Sequence, residues 1–155
     1  EGSRATLWKR LTQHRGSGQT GAGNHRGSIF RKLVGEALLA REPNSTLSER
    51  WLRDKDVTGP ERETERELEM AVSRRIRKMP LVWIEVDDEA SARSRRAWLE
   101  RNAIGLLTMA PESSPGWLGR WSKWPAVRSS GLWNNNYVGH SPDAGFVDEL
   151  ERMVG

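Results

Sequence analysis

Hydrophobic residues recur every three or four positions along much of this chain, a spacing typical of amphipathic helices. The pattern predicts five helices: over about residues 4–14, from an N-cap at Ser28 to near Arg41, from Pro60 to Pro80, from an N-cap at Asp87 or Asp88 to about Thr108, and a last one that contains Phe146 and Leu150. Gly-rich, polar or Trp-rich segments separate them, at residues 16–27, 42–59 and 111–142. We expect one core, because 155 residues suit a single domain.

The third predicted helix has the clearest ends. Pro60 suits its first position, and four glutamates from Glu61 to Glu67 lie near the positive end of the helix dipole. The basic residues from Arg74 to Lys78 lie near the negative end. We interpret this charge pattern as a solvated helix face and assign it no chemistry.

Only residues 81–86 (LVWIEV) have the pattern of a β-strand, a β-branched and aromatic run bounded by Pro80 and Asp87. An isolated strand leaves its backbone N–H and C=O groups unpaired. A complete fold therefore needs further strands to form a sheet with this one.

Charge and composition narrow the classes of function. The chain has 25 Lys and Arg, of which 20 are Arg, against 21 Asp and Glu. Residues 1–41 carry 8 basic and 2 acidic residues, a balance that fits a polyanionic partner. The absence of cysteine excludes a disulfide scaffold, a thiolate nucleophile and a sulfur-ligated zinc site. No apolar run is long enough to span a membrane, so we expect a soluble, cytoplasmic protein.

Three groups of residues are candidates for chemistry. Arg10 and His14, four residues apart on the first helix, could bind one phosphate, or could simply form a solvated face. Glu100 could hold Mg²⁺ together with water and phosphate oxygens, or form a salt bridge with Arg93 or Arg96.

The third group lies in the Trp-rich segment. The run Asn134 to Asn136 could orient a substrate, although Asn residues in loops more often form turns. Trp117, Trp121 and Trp124 could stack nucleobases, although packing against the core is the commoner use of such residues.

In chain order these pieces resemble the catalytic domain of the GIY-YIG nucleases, in particular a bacterial branch of that family. LWKRLTQH matches the family's first helix, LVWIEV followed by WLERNAIGLL matches its third strand and metal-binding helix, and Trp133-Asn134 matches a later aromatic-Asn pair. The runs GNHRGSIFRKLVGEALL and SGLWNNNYV strengthen the resemblance, which covers roughly residues 5–40 and 80–138.

The resemblance implies an α/β (α+β) fold with a small antiparallel sheet flanked by helices, predominantly helical as the chain stands. It also implies a DNA endonuclease that hydrolyses phosphodiester bonds with one divalent metal, Mg²⁺ or Mn²⁺. Its catalytic residues would be Arg10, His14, Glu100 and Asn134, with Glu100 as the metal ligand. Further DNA contacts are expected from the basic N-terminal part, at Arg15, His25, Arg26 and Arg31.

The strands that give the family its name have no counterpart before Leu7, and Tyr137 is the only tyrosine. Because the chain begins at Glu1 and not at Met, we expect those strands upstream, and little activity without them. The chain would then be one N-terminally incomplete domain over residues 1–155, with a polar linker and helical insertion at about 42–79. The alternatives are a degenerate nucleic-acid-binding or regulatory domain on the same scaffold, and a protein-interaction domain that uses the Trp-rich segment.

Overall fold

A computed structural model describes residues 6–42, 51, 58–89, 91–109 and 115–155. Within these ranges the chain forms six α-helices: α1 (Leu7–Arg15), α2 (Ile29–Arg41), α3 (Gly59–Arg77), α4 (Arg95–Thr108), α5 (Pro125–Ser130) and α6 (Phe146–Val154). Two short 3₁₀ helices span His25–Gly27 and Leu118–Trp121. The five predicted helices are therefore confirmed, with ends shifted by a few residues except at α4, which begins at Arg95 and not at Asp87 or Asp88. Helix α5 lies in the Trp-rich segment at 111–142.

Local side chains begin these helices. The Oγ of Ser28 accepts the backbone N–H of Arg31, as its prediction as an N-cap requires. At α3, Thr58 and Glu61 form a capping box in front of Pro60. The predicted Asp cap of α4 is wrong, because Ser94 caps that helix and Asp88 binds Arg96.

The predicted antiparallel sheet is wrong for the described part of the chain, which contains no β-strand. Residues 81–86 form irregular coil, in which Val82 is 85% and Trp83 is 66% exposed. A single strand cannot pair its backbone groups by itself. The described elements of the chain are helices, so residues 81–86 have no strand among them to pair with.

The core forms where α2 packs against α3 and against the 3₁₀ helix Leu118–Trp121. Its buried side chains come from α2 (Val34, Ala37 and Leu39), α3 (Leu68, Val72 and Ile76), Trp51 and Leu118. The segment predicted as an insertion at about 42–79 thus supplies much of the core. Most of its predicted linker lies outside the described residues, but Trp51 is fully buried and donates from Nε1 to the carbonyl of Lys32.

A buried ion network joins α2 to α3. Arg31 is 0% exposed, and its guanidinium donates to the Glu69 carboxylate, with Nε at 3.1 Å from Oε2. Glu69 also accepts from the backbone and ring nitrogen of His25, and Arg26 forms a bidentate pair with Glu65. The interpretation of the α3 glutamates as a solvated face is therefore wrong for Glu65, which is buried with Glu69 one turn later.

Arginines from both core helices hold the C-terminal end of α1. Arg31 donates to the carbonyl of His14 at 2.8 Å, and Arg77 donates to the carbonyls of Arg15 and Gly16. Carbonyls at the end of a helix lack partners within the helix, so these bonds fix α1 against the core. None of the helices in the described ranges is long and apolar enough to cross a membrane.

Candidate active site

A cavity of about 720 Å³ lies between α1, residues 83–86 and α4, and it contains two of the predicted catalytic residues. Arg10 lines it from α1, and Glu100 lines it from α4. Leu7, Ala97 and residues Trp83 to Val86 supply most of its remaining wall. We call this space the Arg10–Glu100 cavity.

Glu100 is exposed in this cavity and forms no ion pair or hydrogen bond with the side chain of any described residue. The predicted alternative, a salt bridge to Arg93 or Arg96, is wrong, since Glu100 pairs with neither and Arg96 binds Asp88 through Nε at 3.0 Å and Nη2 at 2.7 Å. Hydrogen bonds from the backbone and side chain of Arg96 lower the pKa of Asp88. The Glu100 carboxylate is thus open to a ligand that enters the cavity.

The donor set of the cavity fits a hard divalent cation held mainly by water and substrate. Glu85 lines the same cavity as Glu100, so two carboxylates border it. Within the described ranges no three His, Asp or Glu side chains lie close enough together to hold a metal ion. Mg²⁺ is commonly bound by one or two carboxylates together with water and phosphate oxygens, which is the set that these residues could supply.

His14 lies in an adjoining, largely apolar cavity of about 470 Å³, whose wall includes Leu11, Phe30 and Leu81. Its Nδ1 is 2.7 Å from Oγ of Ser28, and its ring meets that of Phe30 edge to face. Burial, followed by the positive charges of Arg10 and Arg31, lowers the pKa of His14. These influences favour the neutral imidazole. His14 is not among the residues that line the Arg10–Glu100 cavity.

Asn134 does not join the other predicted catalytic residues. Its side-chain oxygen accepts the backbone N–H groups of Asn135 and Asn136, which makes it the turn former that the alternative interpretation describes. The preceding Trp133 packs against Phe30 and Trp117. Asn134 is not among the residues that line the Arg10–Glu100 cavity.

The four predicted DNA-binding residues have different surroundings. Arg15 is exposed at the end of α1, where a phosphate could reach it. His25 is 1% exposed and stacks on Trp51 with ring centroids 3.7 Å apart. Arg26 and Arg31 take part in the ion network with α3, so their guanidinium groups are occupied by carboxylates.

Sequence reasoning missed two residues of this region. Ser28 was identified only as a helix cap, and its bond to His14 had no signal because the two residues are 14 positions apart. Glu85 was assigned to a strand, although a carboxylate within the apolar run LVWIEV could have indicated a solvent-exposed position.

In the Trp-rich segment, Trp121 and Trp124 remain about half exposed, and Trp124 donates from Nε1 to Glu36. Burial is the largest influence on Glu36 and raises its pKa. The proposed stacking of bases on these residues stays a prediction.

The sequence matches the GIY-YIG domain family over residues 1–155. No curated protein and no solved structure matches the chain significantly. The family match covers the whole chain, including the segment at 42–79 that the sequence resemblance did not reach. The predicted family is thus confirmed, and the chain belongs to the GIY-YIG domain family.

Proposed function

We propose that this protein is a metal-dependent DNA endonuclease whose active site is the Arg10–Glu100 cavity. The observation that carries the proposal is that Arg10 of α1 and Glu100 of α4, distant in sequence, line the same open cavity. An arginine and an unpaired carboxylate are the two groups needed to hold a phosphodiester and its counter-ion. Membership of the GIY-YIG domain family supports hydrolysis of DNA as the reaction class.

Arg10, Glu100 and His14 have different roles in the proposed reaction. Arg10 binds a non-bridging oxygen of the scissile phosphate and neutralises the charge that develops on it. Glu100, with Glu85 nearby, holds one divalent ion, Mg²⁺ or Mn²⁺, which when bound supplies Lewis-acid stabilisation of the phosphate oxygens. His14, next to the cavity on α1, contacts the same strand of the substrate. We assign no general base within the described residues.

The exposed cations of α1 support DNA as the partner. Lys9, Arg10 and Arg15 are all exposed on this helix, and no acidic residue lies on it. Binding that depends on phosphate contacts of this kind weakens steeply as salt concentration rises.

A nicking assay tests the proposal. Supercoiled plasmid is incubated with the full gene product and Mg²⁺, beside the variants Glu100→Gln and Glu151→Gln. The two variants change charge identically, and Glu151 is an exposed residue of α6 that does not line the Arg10–Glu100 cavity. We expect Glu100→Gln to lose nicking and Glu151→Gln to keep it. Equal nicking by both variants would contradict the proposal.

The second candidate function is DNA binding without cleavage. It is favoured by the exposed cations of α1, which can contact phosphates without a metal ion. It predicts salt-sensitive DNA binding that does not require Mg²⁺, with Glu100→Gln binding DNA as well as or better than the wild type, because a negative charge beside the phosphates is removed. A salt titration followed by fluorescence anisotropy, with and without Mg²⁺, distinguishes the two candidates.

A further inference from the structure

Ser28 connects the start of α2 to His14. Its side chain is 4% exposed, and its Oγ lies 2.7 Å from Nδ1 of His14. The same Oγ lies 3.2 Å from the backbone nitrogen of Arg31, which is the cap contact of α2. One buried hydroxyl therefore serves both the cap of α2 and the imidazole of His14.

The direction of the hydrogen bond follows from the donors present. The backbone N–H of Arg31 can only donate, so Oγ of Ser28 accepts that bond. The hydroxyl proton of Ser28 remains, and Nδ1 of His14 is the acceptor that lies within reach of it. A neutral imidazole has one protonated and one unprotonated nitrogen, so an accepting Nδ1 leaves the proton on Nε2.

The groups around His14 favour this neutral form. Burial is the largest influence that lowers the pKa of the ring, and the positive charges of Arg10 and Arg31 add to it. Arg15 shares the apolar cavity, and Phe30, Ile76 and Met79 complete its side nearest α2 and α3. No carboxylate lines that cavity to stabilise an imidazolium.

We propose that Ser28 is a positioning residue that holds His14 in the tautomer with hydrogen on Nε2, so that His14 donates a hydrogen bond to a phosphate oxygen and does not take a proton from the attacking water. This inference about phosphate rests on the proposed function. It assigns His14 to orientation of the phosphate and not to relay of a proton.

The tautomer can be measured on the free protein by long-range ¹H–¹⁵N NMR of the histidine rings at pH 7.5, with His14 assigned from the signals lost in His14→Gln. We expect an unprotonated Nδ1 and a protonated Nε2 in the wild type and in Ser28→Thr, which keeps the hydroxyl. Ser28→Asp keeps the helix cap but has no proton to donate, so it should move the His14 proton to Nδ1.

Two results would overturn the inference: a proton on Nδ1 in the wild type, or an unchanged tautomer in folded Ser28→Asp. The wild-type spectrum tests the predicted tautomer of His14 even if the Ser28→Asp variant does not fold. In cleavage, Ser28→Asp should lower kcat by ~100-fold with little change in KM, the effect of losing one donor to a transition-state oxygen, and Ser28→Thr should restore it. A wild-type protein that never cuts DNA would defeat the proposed function and leave the tautomer measurement standing.

Discussion

Glu100 shows how a single residue acquires a possible role through its neighbours. The carboxylate is open because Arg96, one turn earlier on α4, pairs with Asp88. The sequence shows that Arg93 and Arg96 lie near enough to neutralise Glu100. Whether they pair with it depends on how the loop before α4 folds. Residue type and spacing therefore identified Glu100, and only the structure shows that its carboxylate faces a cavity shared with Arg10.

Arg15 and Arg26 should respond differently when replaced by alanine. Arg15 is exposed, so Arg15→Ala should weaken DNA binding and lower the slope of log K against log salt by about 0.9, one phosphate contact. Arg26 is paired with Glu65, so Arg26→Ala should mainly reduce the free energy of unfolding and leave the salt slope unchanged. Anisotropy titrations at several salt concentrations measure the slopes. A smaller slope for Arg26→Ala alone would show that Arg26, and not Arg15, contacts phosphate.

Glu69→Gln should destabilise the fold by about 3–5 kcal/mol, because it leaves the buried Arg31 guanidinium without its anion. Urea denaturation at pH 7 measures this change. Glu63→Gln is the matched control, since Glu63 is exposed and pairs only with Arg66 among the described residues. A similar decrease in the free energy of unfolding in both variants would show that the ion network does not stabilise the fold.

The pH dependence of stability should also change in Glu69→Gln. Burial alone would raise the pKa of Glu69, but hydrogen bonds from His25 and Arg31 and the charge of Arg31 outweigh it, so the pKa is lowered from 4.5. The stability that Glu69 contributes is therefore complete above pH 4.5 and is lost as pH falls through the folded-state pKa. Wild type and Glu63→Gln should lose stability below pH 4.5 more steeply than Glu69→Gln.

At the scale of elements, the helices followed from local signals and the sheet did not. The period of apolar residues, Pro60 and the cap at Ser28 are each contained within a few positions, and all three predicted their helices. A strand depends on a partner far away in sequence, and residues 81–86 have none in the described ranges. The burial of Glu65 and Glu69 on α3 was also missed, because charged residues bury only when partners such as Arg26 and Arg31 meet them.

Gly35→Ala should destabilise the packing of α2 by about 1–3 kcal/mol, the usual cost of an overfilled core. A Cβ at position 35 would lie 2.1 Å from the nearest ring atom of Trp51, which is fully buried and cannot move aside freely. Gly59→Ala is the control at the start of α3, where a Cβ meets nothing within 4 Å. Thermal unfolding followed by circular dichroism should show a lower Tm only for Gly35→Ala, and an unchanged Tm there would mean that the Trp51 contact is loose.

At the scale of the whole molecule, the ion network links the core to the candidate active site. Arg31 binds Glu69 of α3 and the carbonyl of His14 in α1, and Arg77 of α3 binds the carbonyl of Arg15 in α1. The position of Arg10 and His14 on α1 is thus set by the buried Arg31 of α2 and the partly exposed Arg77 of α3. This arrangement is not visible in any local motif, since each bond joins residues far apart in sequence.

The measurement that tests the central claim most directly is a double-variant cycle on the rate of plasmid nicking under single-turnover conditions. It compares the wild-type gene product with Arg10→Ala, Glu100→Gln and the double variant, with Lys9→Ala as a control for loss of charge on α1. If both residues act on one phosphate in one cavity, each single variant should lose most of the activity, the double variant should be no slower than the slower single one, and Lys9→Ala should stay close to wild type. Wild-type nicking by either single variant, or losses that simply multiply in the double variant, would contradict a shared site.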